Sequence, residues 1–103
     1  MSLSDTQKKY LRGLGHKLKP VIRVGNAGMT EALLAEFSST LLHHELIKVG
    51  VRAHDRQARA AIIDKLCAHG PAELVQRVGN TALLYRPNPE KPRIVLPVDV
   101  KYT

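Results

Sequence analysis

Tryptophan is absent from the 103 residues, and the aromatics are Phe37, Tyr10, Tyr85 and Tyr102. The chain therefore lacks the paired strand aromatics on which an RNP-type sheet stacks bases. Phe37 falls on an apolar helix stripe and reads as core, and Tyr85, alternating with Leu84 and Arg86, reads either as a half-buried strand residue or as a base-stacking surface. Cysteine is as scarce. Cys67 alone closes no internal disulfide, so the fold rests on packing, and a reducing cytoplasm is expected. His43 and His44 are adjacent and point in different directions from a helix end, and neither they nor His54 have an acidic or thiol partner at ligand spacing; no metal and no other cofactor is expected. A catalytic arrangement is missing too. Cys67 lies mid-helix among apolar neighbours, no Ser stands in a nucleophile elbow, and the carboxylates are scattered as solvated partners of Lys and Arg, so no enzyme is expected. Apolar runs fall short of the roughly 18 residues that span a bilayer, and the N-terminus alternates Lys with polar residues, which points to a soluble, unexported cytoplasmic protein.

Acidic residues are outnumbered: nine Asp and Glu face sixteen Lys and Arg, for a net charge of +7. That surplus makes acidic partners the first expectation. At this length and 44% hydrophobic residues, one modest core is possible and two are not.

Helical spacing of Leu3, Gln7, Leu11, Leu14 and Leu18, with Lys8, Lys9, Arg12, Lys17 and Lys19 between or beside them, predicts a basic amphipathic helix over 4–18. Gly13 and Gly15 weaken its last turn, and Pro20 stops it. Val21 to Val24 reads as a short strand, closed by Gly25-Asn26-Ala27-Gly28. A second helix follows from Met29 or Thr30 to His43, with Thr30 as N-cap and Met29, Leu33, Phe37 and Leu41 on one stripe. Glu45 to Ala53 alternates Ile47, Val49, Val51 and Ala53 against Glu45, Lys48, Gly50 and Arg52, a strand with one buried face. Asp55 caps a third helix to His69 with Ala58, Ile62 and Leu66 as its stripe, and Gly70-Pro71 ends it. Leu74 to Val78 and Thr81 to Arg86 form a hairpin around Gly79-Asn80. The expected fold is α/β, a two-layer sandwich in which an N-terminal helix precedes β-α-β-α-β-β and a four-stranded mixed sheet. Residues 1–86 form the domain. Four of the six prolines stand at 87, 89, 92 and 97, so residues 87–103 read as an extended tail, with Ile94-Val95-Leu96 available to lie against the body.

Residues 1–24 hold Lys8, Lys9, Arg12, Lys17, Lys19 and Arg23 against Asp5 alone, which predicts an electropositive end of the molecule. Beside this region lies the Gly25-x-x-Gly28 turn between strand and helix, where unpaired N–H groups and the positive end of a helix dipole meet. Without a Cβ at the glycines a phosphate backbone can approach the loop closely. Two plainer readings stand beside this one: a solvated helix face, and a tight turn that needs positive φ.

Three segments in order, Val24-Gly25-Asn26-Ala27-Gly28-Met29-Thr30-Glu31, His43-His44-Glu45-Leu46-Ile47-Lys48-Val49 and Leu84-Tyr85-Arg86-Pro87, resemble the CRM domain (chloroplast RNA splicing and ribosome maturation). The match is closest to its stand-alone bacterial YhbY-like form and covers residues 4 to about 97. The resemblance implies a helix followed by a β-α-β-α-β-β core, similar in shape to the C-terminal domain of translation initiation factor three. It further implies binding of structured RNA, with ribosomal RNA in precursors of the large ribosomal subunit as the partner. The family's GxxG loop falls on Gly25, Asn26, Ala27 and Gly28, and its basic surroundings on Lys17, Lys19 and Arg23. Lys8, Lys9 and Arg12 of the first helix, and Lys48 and Arg86 within the second and third segments, complete the candidate RNA contacts. In KH domains a similar loop joins two helices, whereas here it joins strand to helix. Asn26-Ala27 occupy the loop centre, where both families commonly carry a basic residue, so flanking cations have to supply the charge. The alternative from another class is a small enzyme or sensor that holds a phosphorylated metabolite at the same helix N-terminus. It requires a closed pocket with a polar constellation.

Overall fold

Side chains next to each helix start satisfy the N–H groups that the first turn leaves free. Ser4 Oγ accepts the Gln7 N–H at 3.1 Å while Gln7 Oε1 accepts the Ser4 N–H at 3.1 Å, a reciprocal capping box. Thr30 Oγ1 accepts the Leu33 N–H at 3.1 Å, and Asp55 Oδ1 accepts the Ala58 N–H at 2.7 Å. The helices that result are α1 (Asp5–Gly15), α2 (Glu31–His44) and α3 (Arg56–His69). The strands are β1 (Pro20–Val24), β2 (Leu46–Val51), β3 (Glu73–Val78) and β4 (Thr81–Tyr85). The computed structural model describes residues 3–25 and 28–98.

The four strands form one mixed sheet in the order β1-β2-β4-β3, with β1 parallel to β2 and β4 antiparallel to both its neighbours. Val24 is in register with Val51, and Gly50 with Thr81. The ends of β1 and β2 and the Gly79-Asn80 turn therefore share one end of the sheet. The expected α/β class and four-stranded mixed sheet are present, but the expected two layers become three, because α2 and α3 pack on one sheet face and α1 covers part of the other.

One sheet face, with Val24, Val49 and Leu84, packs against Phe37 and Leu41 of α2 and Ile63 and Leu66 of α3. Each such side chain contributes about 1.5–3 kcal/mol when fully buried. Leu66 is buried as expected, but Ile63, not Ile62, is buried beside it in α3. The expectation of one buried face for β2 is corrected by Leu46, which joins Val75, Leu83 and Tyr85 on the reverse face beneath Leu3 and Leu11. Period two left Leu46 unassigned because α1, 30 or more residues earlier, is what covers it. Leu14, expected on the α1 stripe, is exposed. Gly15 takes the buried position, since a Cβ there would stand 2.7 Å from Leu83 Cδ2. The helix therefore rests on the sheet by the Leu11 side chain and, at its last residue, by the bare backbone of Gly15.

Beyond β4 the chain has no regular structure through residue 98, and it is held down by Glu45. This C-cap residue of α2 has φ 64° and is 1% exposed. Its carboxylate accepts the N–H groups of Asn88 at 2.7 Å, Arg93 at 2.5 Å and Ile94 at 2.9 Å. Ile94 and Leu96 then complete the reverse-face cluster, and Pro97 O accepts from Gln7 Nε2 at 3.2 Å. Glu45 is thus no solvated partner of Lys and Arg, and neither is Glu73, which accepts the Leu3 N–H at 3.0 Å.

Candidate nucleic-acid interface

β1 delivers Gly25 at the sheet end, and the Gly28 N–H donates to Gly25 O at 3.0 Å, closing a tight turn into α2. Gly28 has φ 74°, the left-handed region that L side chains enter at a cost of about 1–2 kcal/mol. Asn26 and Ala27, the loop centre, lie outside the described residues.

Arg23 extends over β2: the position of a Cβ on Gly50 lies 3.6 Å from Arg23 Cγ and 3.7 Å from its Nη1. Two backbone bonds draw the strand ends together. The Arg52 N–H donates to Val24 O at 2.9 Å, and the Val51 N–H donates to Asn80 O at 2.7 Å. Arg59 Nη1 donates to Asn80 Oδ1, pinning the hairpin turn to α3. The product is an open cleft of about 460 Å³ that Arg23, Gly25, Gly50, Arg52, Asn80 and Thr81 help to line. No carboxylate is among the described residues that line it. Two arginines and a hydroxyl suit a phosphate or ribose.

Several candidates stand elsewhere. Lys17 and Lys19 are exposed before β1, and a strand rises about 3.3 Å per residue, so Lys19 stands roughly 20 Å from Gly25. Closeness in sequence became separation in space, and the expected electropositive end is instead a scatter of cations over α1 and both ends of β1. Lys8, Lys9 and Arg12 lie on α1. Lys48 faces the reverse side of the sheet, in an adjoining cleft with His16 and Thr81. Arg86 is a structural residue at the opposite sheet end: its Nη1 donates to Gly70 O and its N–H to Glu45 O at 2.8 Å. Arg52 and Asn80 were not among the sequence candidates. Arg52 was counted only as the polar phase of a strand, and Asn80 only as a turn former.

Tyr85 is 2% exposed and belongs to the core, which closes the base-stacking reading. Burial foremost, then the charge of Glu45, pushes its phenol pKa up. The Cys67 thiol is likewise raised, by burial first and then by Asp64 and Glu73. His54 Nε2 lies 3.2 Å from Asp55 Oδ2, and the rings of His43 and His44 meet edge to face. Among the described residues no helix is long and apolar enough to cross a membrane.

The model of the CRS1 / YhbY (CRM) domain matches residues 3–86. A Pseudomonas aeruginosa protein named "Probable RNA-binding protein" is 47% identical over 90 residues, covering 87% of this chain and 86% of its own. A Haemophilus influenzae protein named "RNA-binding protein" is 45% identical over 96 residues, 93% of this chain and 96% of that one. The solution structure of a hypothetical protein from Staphylococcus aureus superposes with a TM-score of 0.79 at 33% identity, covering 93% of this chain and all of the other.

Proposed function

The chain belongs to the CRS1/YhbY (CRM) domain family, and from that premise we propose that it binds RNA without catalysis, in the cytoplasm. Its RNA is ribosomal, in precursors of the large ribosomal subunit whose assembly it assists. The observation that carries the RNA reading is the meeting of Gly25 with Arg23 and Arg52 on one cleft, with no carboxylate among the described residues that line it. Relatives named as RNA-binding proteins support it. The ribosomal part is supported by the resemblance of the three segments to the stand-alone bacterial form. A phosphorylated metabolite, the alternative, asks for an enclosed pocket. The cleft here is open, which suits a polymer.

Sedimentation of the protein with ribosomal particles from a lysate tests this reading. It should travel with large-subunit precursors at low salt and leave them at high salt, since phosphate contacts release counterions. Failure to co-sediment at low salt contradicts the ribosomal assignment. Displacement from RNA by micromolar free phosphate compounds would favour the metabolite.

A further inference from the structure

Resting on the RNA reading, we propose that the bound strand continues past the glycine loop and crosses the open half of the reverse sheet face toward His16. α1 ends at Gly15, so it covers only part of that face. Where it stops, a second cleft of about 290 Å³ opens, lined among others by His16, Lys48, Gln76 and Thr81. Thr81 also lines the cleft of Arg23 and Arg52. The two clefts therefore meet at one residue and form one path.

Charge selects the occupant. No carboxylate is among the described residues that line either cleft, whereas the cleft at the other end of the sheet contains Glu73. Arg23 lies over Gly50, and Lys48, two residues earlier in β2, projects on the same face about 6.6 Å along the strand. One extended polyanion touches both in succession. No Phe, Tyr or Trp is among the described residues that line either cleft, so the path holds the strand chiefly by sugar and phosphate and tolerates any sequence. The occupant is one RNA strand held by its backbone.

Gln76 is exposed and lines the second cleft, which makes it a probe that leaves the core alone. Gln76→Glu keeps the side-chain shape and lowers the net charge by one, as does Lys91→Gln on the exposed tail beyond Asn88. At roughly 0.1 M salt, where charges act over about 10 Å, Gln76→Glu should weaken binding of a single-stranded ribosomal RNA segment about threefold or more, and Gln76→Lys should tighten it. Lys91→Gln should leave it within error of wild type. Equal effects of Gln76→Glu and Lys91→Gln, or no response to either Gln76 variant, overturn the path while the RNA reading stands. Absence of binding by the wild-type protein overturns the RNA reading and the path with it.

Discussion

A carboxylate with 1% exposure costs the fold heavily unless donors surround it, and Glu45 has recruited three backbone N–H groups from residues 88–94. Glu45→Gln offers one acceptor oxygen for those donors, so stability should fall by about 1–3 kcal/mol in urea unfolding, and trypsin should cut after Arg93 sooner. An unchanged urea midpoint would show that the tail docks without it. The two loop glycines differ. Gly28→Ala meets positive φ and should cost about 1–2 kcal/mol, whereas Gly25 has no neighbour within 4 Å and Gly25→Ala should fold normally. RNA affinity of the well-folded Gly25→Ala variant then reports close approach of the ligand to the loop, separate from strain. Both raised pKa values act in one direction. The folded state favours the neutral Cys67 thiol and Tyr85 phenol, so their contribution is full below the ordinary values near 8.5 and 10 and is lost as pH rises through the raised ones. Urea midpoints should decline from about pH 9 upward; a flat profile to pH 11 contradicts the burial of both groups. At this scale the sequence was least informative: a Glu between His44 and Leu46 looks solvated until the tail, more than 40 residues later, returns to it.

Elements were legible because their signals are local. Thr30 and Asp55 cap where expected, Gly79-Asn80 turns the hairpin, and the 2-residue period of Ile47, Val49 and Val51 marks the core face. The seat of α1 was not legible, because leucines at helical spacing do not say that a glycine makes the closest contact. Gly15→Ala places a methyl 2.7 Å from a Leu83 methyl that is itself buried. Overpacking of that kind should cost about 1–3 kcal/mol by thermal or urea unfolding. A neutral Gly15→Ala would mean that α1 is free to shift on the sheet.

For the whole molecule, strand order decides which cations act together. β1 and β2 run parallel and β4 returns between β2 and β3, so Arg23, Arg52 and Asn80 meet although 57 positions separate the first from the last. Lys19 and Arg23, four apart in sequence, stand at opposite ends of β1. Net charge pointed to acidic partners and the glycine spacing to one loop; only the topology places a second arginine beside that loop. The most direct measurement is the affinity for one structured ribosomal RNA fragment over a salt series, for wild type, Arg23→Ala, Arg52→Ala and Lys91→Ala. The wild type should give a straight line of log affinity against log salt, Arg23→Ala and Arg52→Ala should each flatten it by about 0.7–0.9, the share of one phosphate, and Lys91→Ala should match wild type. Arg23→Ala and Arg52→Ala slopes equal to that of wild type would mean that RNA is not held at this end of the sheet.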